Sequence, residues 1–271
     1  MTARYSSHSV TGSHAPETIR SEPGSPNPGQ RKILIFSFPH AGGQANSHRP
    51  LLNEFGAEFG VHLMELPGHG SLHRQPLAQD MATLVQTLTE RTERLLEAGA
   101  DYILHGHSMG AVLAYEIGCA LLDRGVGPSA LVIGGRDAPT AQGATQRHLH
   151  SLPDPELIRY LTSLGGLSPT LLEHPDALAF YLPVLRGDLR VLDTYRPVTR
   201  PPLTCPVTVL AGLDDPLVTD EGLHEWCRLT TGHVNVRRIA GGHFCLNSPD
   251  YMGEVAAVTR SVSSTSDLIA G

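Results

Sequence analysis

Three residue types that together can break an acyl bond stand in one order along this chain: Ser108, Asp215 and His243. Ser108 lies in Gly106-His107-Ser108-Met109-Gly110, a G-x-S-x-G pattern. The pattern alone is common. Its setting is not, because an apolar stretch, Tyr102 to Leu104, precedes it and an amphipathic run, Ala111 to Leu122, follows it. Strand, sharp turn and helix are what the nucleophile-elbow reading requires. The turn holds the serine in a strained backbone conformation, and the glycines leave neighbouring strand and helix unobstructed. The hydroxyl then projects at the C-terminal edge of a sheet, beside the positive end of the following helix.

A serine hydroxyl is a poor nucleophile until a base takes its proton. In this chain order the acid follows the serine and the histidine comes last. Among the 15 histidines, His243 in Gly-Gly-His-Phe directly follows the last expected strand, where a loop can carry it over Ser108. His233 precedes that strand and belongs at the opposite edge, and His224 sits on the preceding helix. The acid is expected just after the strand before, in Gly212-Leu213-Asp214-Asp215-Pro216. Adjacent side chains in an extended turn diverge, so only one of the two aspartates can face the histidine. Counting from the glycine favours Asp215, which the following proline also biases toward an extended backbone. Asp214 is then a solvated turn carboxylate, and Asp137 is the fallback.

An oxyanion formed during acyl transfer needs two backbone N–H donors. Met109, directly after the serine, supplies one, and the loop after the first strand supplies the other. In Phe38-Pro39-His40-Ala41-Gly42-Gly43, Pro39 has no N–H, so Ala41 is the expected donor, with His40 orienting the loop. His105-x-His107 and His148-x-His150 have the look of metal-ligand pairs, but no carboxylate or cysteine completes either set at recognisable spacing. No metal and no resident cofactor is expected.

These residues must be carried by an alternation of strands and helices. Ile33–Phe38, Val61–Leu66, Asp101–Gly106, Ala130–Gly135, Pro206–Gly212 and Val234–Ile239 read as strands. Helices are expected after the first loop, from an Asp80 cap to Gly99, from Ser108 to Arg124, around 223–229 and from Pro249. Such alternation implies an α/β fold with a mostly parallel sheet and helices on both faces. It breaks between about 141 and 199, where leucines and prolines recur without a strand. At about 60 residues this segment reads as an insertion too small for a core of its own, its prolines cutting it into short helices.

Composition bounds the rest. The 271 residues suffice for one large domain, expected over 31–271, with 1–30 a disordered tail rich in Ser, Pro, Gly and His. A net charge of −7 with a single lysine, Lys32, speaks against nucleic-acid binding. No segment has the apolar length of a membrane span or of a signal peptide's core. Cys119, Cys205, Cys227 and Cys245 show no C-x-x-C spacing and read as buried free thiols. A cytoplasmic monomer follows as the expectation.

An ordered set of longer motifs accompanies the triad candidates: FSFPHAGG, ELPGHG, GHSMGAVLAYE, GGRDAP, SLPDPELIRYLTSLGG, LPVLRGDLRVLDTY, PPLTCPVTVLAGLDDPLV and GGHF. With these the chain, over about Ile33 to Pro249, resembles the type II thioesterases that accompany modular polyketide and non-ribosomal peptide synthases. It departs from them at Gln44, where small residues are usual, at His69, where arginine is frequent, and at Gln75, where glutamate is common. The resemblance implies an α/β-hydrolase fold in which the 141–199 insertion is a helical lid. It also implies hydrolysis of acyl thioesters from the phosphopantetheine arm of acyl or peptidyl carrier proteins, clearing stalled or misprimed groups. A carboxylesterase of the same fold, a non-catalytic carrier-binding protein and a cyclising offloading enzyme are the competing readings.

Overall fold

The computed structural model describes residues 16–21, 33–55, 58–141 and 148–269. Seven strands form one sheet among the described residues, in the order β1-β3-β2-β4-β5-β6-β7. They are β1 (Thr18–Arg20), β2 (Ile33–Phe38), β3 (Gly60–Met64), β4 (Asp101–His107), β5 (Ala130–Gly134), β6 (Val207–Gly212) and β7 (Val234–Ile239). All neighbours pair in parallel except β1 and β3.

Every residue of β2, β3, β5 and β6 is buried, as expected of parallel strands covered on both sides. Their side chains divide by parity. Leu34, Phe36 and Phe38 of β2, with Leu104 of β4 and Ile133 of β5, face a cluster shared with helices α2 (Met81–Leu95) and α3 (Met109–Asp123). Ile33, Ile35, Ile103 and Val132 face the other side, against α1 (Arg49–Phe55) and α8 (Pro249–Ile269). A period of two thus splits one apolar run between two cores. Fully burying one such side chain is worth about 1.5–3 kcal/mol.

Asp80 caps α2 as expected, its carboxylate accepting from Thr83 N at 2.8 Å. The helix stops at Leu95, short of Gly99, because Leu96 leaves it in an extended conformation. Gly99 instead takes a φ of +76° in the turn that leads into β4.

The structure departs from the sequence reading in further places. Thr18–Arg20, inside the stretch expected as a tail, pairs with β3, Thr18 opposite Met64 and Arg20 opposite His62. Glu17 anchors it through Arg91 and Arg94 of α2. Cys227 is exposed, since Trp226 takes the buried side of the 3-10 turn Glu225–Arg228; the other three thiols are buried. The insertion has an apolar cluster of its own, built from Leu157, Leu161, Leu167, Leu182, Leu185 and Leu189. Finally, Pro183 lies inside α6 (Pro175–Thr194) without ending it. The lost N–H costs one helical bond. Burial of Leu182, Leu185 and Leu189 on the insertion side and of Val191 and Leu192 on the sheet side offsets it.

The remaining helices of the insertion are α4 (Asp154–Ser163) and α5 (Pro169–Leu172), and α7 (Asp220–His224) follows β6. The insertion sits between β5 and β6, at the sheet end where the candidate residues emerge.

Candidate active site

Ser108 is the single residue between β4 and α3, with φ 56° and ψ −111°. Only it and His148 adopt a positive φ among the described non-glycine residues. Such a conformation costs about 1–3 kcal/mol and persists only when its surroundings impose it. Here the Ser108 N–H donates to Gly134 O at 2.8 Å, and Ala111 N–H donates to Ser108 O at 3.1 Å. The flanking glycines are demanded by close approach. A Cβ on Gly106 would lie 1.9 Å from Gly110 O, and one on Gly110 would lie 2.0 Å from Phe38 O. The start of α3 is therefore pressed against the end of β2, where the His40–Gly43 loop begins.

His243 and Asp215 meet directly, His243 Nδ1 lying 2.8 Å from Asp215 Oδ2. Both are buried, and the second carboxylate oxygen of Asp215 accepts from Leu217 N at 2.9 Å. The Nδ1 proton is thereby fixed toward the acid, leaving Nε2 as the proton acceptor. The two loops touch through main chain: a Cβ on Gly212 would lie 2.3 Å from Gly242 O, and Asp214 N donates to Gly241 O at 3.0 Å. Asp214 itself is exposed. Asp137, the fallback acid, instead accepts from the backbone N–H and hydroxyl of Thr219, the cap of α7. His233 is exposed, and His224 bonds Asp220 O on its own helix.

Two bridges tie this pair to the elbow. His107 Nε2 donates to His243 O at 2.7 Å. Gly135, next to the residue that accepts from Ser108 N, would put a Cβ 3.2 Å from His243 Cε1. The sequence reading weighed His107 only as half of a metal-like pair; its bond to His243, made from a variable position of the motif, left no sequence signal. Burial first, then the neighbouring histidines 243, 40, 48 and 105, hold its pKa well below the usual 6.5, so it stays neutral.

On the opposite flank, Met109 opens α3, where helix geometry leaves its N–H without an intrahelical acceptor. Ala41 N–H has no acceptor among the described residues. Its loop is fixed around it: Gly43 N donates to His40 O at 2.8 Å, and His40 Nδ1 donates to Ala41 O at 3.0 Å. His40 stacks edge-on against Phe244, as does His243, with ring centres 5.0 Å apart in each case. Burial depresses the His40 pKa, which suits a neutral donor to a carbonyl.

Beneath the elbow runs a polar chain that sequence reasoning also missed. His48 Nδ1 lies 2.5 Å from Ser37 Oγ, Ser37 Oγ 2.8 Å from His105 Nδ1, and His105 Nε2 2.9 Å from Tyr251 OH. Burial lowers the His105 pKa to about 3. His105 is thus a bonded core residue. Of the second suspected metal pair, His150 bonds Asp193 at 2.7 Å. No group of three or more metal-ligating side chains occurs among the described residues.

A strained serine, an imidazole held by an acid and two amides without acceptors among the described residues gather at one end of the sheet, a set of the kind acyl transfer uses. The thioesterase-domain family matches residues 34–261. A "Probable cadicidin biosynthesis thioesterase" of Streptomyces griseus is 36% identical over 217 residues, which are 79% of this chain and 58% of that longer protein. The chain thus spans less than two thirds of that relative. The solved structure of BorB, a type II thioesterase from the borrelidin biosynthetic cluster, matches with a TM-score of 0.81 at 29% identity, covering 92% of this chain and 100% of that one. RedJ, a thioesterase from the prodiginine pathway of Streptomyces coelicolor, matches at 0.77 and 36% identity over 89% and 88% of the two chains. With its elbow, its sheet order and more than four fifths of its length inside the match, this chain has the α/β-hydrolase fold and belongs to the thioesterase family.

Proposed function

We propose that this thioesterase hydrolyses acyl thioesters carried on the phosphopantetheine arm of acyl or peptidyl carrier proteins, releasing stalled or misprimed groups. Ser108 Oγ attacks the thioester carbonyl carbon while His243 Nε2 takes its proton. The N–H groups of Ala41 and Met109 hold the oxyanion. Collapse expels the pantetheine sulfur, which receives that proton, and leaves an acyl-serine ester. Thiols ionise near ~8.5, so this leaving group needs little assistance. Water then attacks the ester, giving its proton to His243, and the carboxylic acid departs as Ser108 is restored. Asp215 stabilises the imidazolium at both stages.

The observation that carries this reading is the 2.8 Å His243–Asp215 pair, tied by His107 to the strained Ser108 turn. The choice of thioester rests on the family. The carrier-bound substrate rests on the likeness to thioesterases of biosynthetic clusters. We read the insertion between β5 and β6 as a lid, since Tyr181 and Leu185 of α6 close on Gly42 in the oxyanion loop. The phosphopantetheine belongs to the substrate, and the protein brings no cofactor of its own to these steps. No described helix is long and apolar enough to cross a membrane. Action as a monomer in the cytoplasm, where carrier proteins are made, is part of the proposal.

The test presents acyl groups of several lengths on an intact carrier protein, on free pantetheine and as simple oxoesters, and follows deacylation by mass spectrometry. Faster turnover on the carrier supports the reading. Rapid oxoester cleavage with inert acyl-carriers overturns it in favour of a carboxylesterase.

A further inference from the structure

The carboxylate of Asp188, on α6, reaches into the oxyanion loop. Its Oδ2 accepts from Gly42 N at 2.7 Å. The same oxygen lies 2.9 Å from Nε2 of His69, in the loop after β3. His69 Nδ1 in turn lies 3.0 Å from Pro67 O. A carbonyl oxygen and a carboxylate can only accept, so both ring nitrogens must donate, and that requires the imidazolium form. His69 and Asp188 are both almost wholly buried, their side chains 1% and 7% exposed. This is a closed ion pair spanning 119 positions of sequence.

The pair acts on a defined peptide group. Gly42 N–H belongs to the Ala41–Gly42 peptide, whose carbonyl accepts from His40. The preceding peptide is fixed through His40 O, which accepts from Gly43 N. Among the described residues Asp188 thus supplies the hydrogen bond that holds this turn from outside the loop, and the N–H left without an acceptor is that of Ala41. Packing confines the contact further. Gly42 takes a φ of +71°, and a Cβ there would lie 2.3 Å from Tyr181 OH and 3.0 Å from Leu185 Cδ1. Only glycine admits α6 this close.

We propose that Asp188 and His69 are positioning residues that form a protonation-dependent latch, tying α6 to Gly42 and aiming the Ala41 N–H at the oxyanion. The proposal rests on reading Ala41 as an oxyanion donor. When His69 loses its proton, one of its two acceptors loses its donor, and the buried Asp188 carboxylate loses its counter-charge. Leaving a buried partner unsatisfied in this way is costly. The titratable groups facing the latch are Asp188 from α6 and Glu65, just after β3, around His69, with His40 and Tyr181 near Asp188. Burial pulls the His69 pKa down, but the hydrogen bond and charge of Asp188, then Pro67 O and Glu65, outweigh it and leave it raised. Burial and Asp188 push the Tyr181 phenol up to about 12, so it stays neutral. A raised folded-state pKa means that the latch is complete below the ordinary value of 6.5. It is lost as pH climbs through the raised value.

The experiment has two arms on the full chain. NMR titration of the His69 ring is run in Ser108→Ala and in Ser108→Ala/Asp188→Asn. The expected midpoint lies above 6.5 in the first and falls in the second; an unchanged midpoint overturns the pairing. In the kinetic arm, kcat and KM for an acyl-pantetheine thioester are measured from pH 6 to 10. The unsubstituted chain loses kcat on the alkaline side, and His69→Arg, permanently charged, loses that limb. Asp188→Asn lowers kcat about ten- to hundredfold at unchanged KM, somewhat less than outright deletion of an oxyanion donor. A retained alkaline limb in His69→Arg, or full kcat in Asp188→Asn, overturns the latch. Should Asp188→Asn not fold, His69→Arg and His69→Gln carry the test, the second expected to be slow at every pH and a full kcat in it counting against the latch. Full turnover by Ser108→Ala would instead sink the catalytic reading, and the NMR arm would still decide the pairing.

Discussion

His107 reaches across the site to His243: its Nε2 donates to the main-chain carbonyl of His243 at 2.7 Å, over a sequence separation of 136. The residue before Ser108 therefore holds the loop that carries His243. A position that the motif leaves open is occupied here by a side chain that joins its two halves.

His107→Ala is expected to cost about 1–3 kcal/mol of stability, because it leaves the buried His243 carbonyl without its donor. It should also lower kcat more than it raises KM, since the base loses its support. Gln at 107 can present an amide N–H near the same place and should recover most of the loss. Thermal unfolding and steady-state kinetics of the two variants distinguish this pin from a space-filling role, which Gln would not restore.

Asp215→Asn should lower kcat by about 10³–10⁴-fold, the scale seen when a triad acid no longer fixes the imidazole tautomer. Asp214→Asn should stay within about twofold, because Asp214 is exposed and joins the His243 loop only through its main-chain N–H. The reverse ordering in a kinetic assay would exchange the two assignments.

Gly110→Ala and Gly118→Ala lie on one helix and should move stability in opposite directions. At 110 the new methyl meets the Phe38 carbonyl at 2.0 Å and Pro39 O at 2.8 Å, both main-chain atoms that cannot step aside. Overpacking of this kind costs at least about 1–3 kcal/mol, and the elbow should distort with it. At 118 the nearest atom is Leu104 Cδ1 at 3.4 Å, an ordinary contact. There the gain in helix propensity should raise stability by about 0.5–1 kcal/mol. Melting curves of the pair test both signs.

Acid should destabilise the fold well before its carboxylates titrate. Burial holds His48, His105 and His107 below 6.5, with neighbouring histidines adding to the effect at 48 and 107. Below 6.5 the unfolded chain binds protons that these three residues refuse in the folded chain, so their contribution to stability is complete above that pH and falls as pH drops toward the depressed values, about 3 for His105. The urea midpoint should therefore decline steadily from pH 6.5 to 4. His105→Gln, which removes one such proton, should give a shallower slope over that range; an unaltered slope would count against the burial account.

Much of this was legible in the chain itself. The strand-turn-helix around Ser108, the count from Gly212 to Asp215 and the loop position of His243 are local features, fixed by main-chain geometry within a few residues. Asp188 was not legible, because its role depends on which face of α6 meets Gly42, 146 positions away. The same is true of Tyr251, whose phenol completes a chain from His48 through the core. β1 escaped notice because three polar-flanked residues carry no periodicity. Pro183 misled because the rule that proline ends helices holds only where packing does not oppose it.

The two borders of the sheet differ in a way that bears on how copies of this protein avoid one another. At one border β1 places only three residues in front of the wholly buried β3. At the other, β7 carries Arg237 and Arg238, each engaged by a carboxylate, Glu254 and Asp220 respectively. A short strand and a charged strand are two means by which soluble sheets refuse to add a strand from a neighbour. Deleting the residues up to Ser21 would uncover Gly60–Met64, an apolar ribbon with unpaired main-chain groups. Such a shortened protein should keep the arrangement of Ser108, Asp215 and His243 and yet self-associate, so β1 acts as the guard of a border rather than as a support for these residues.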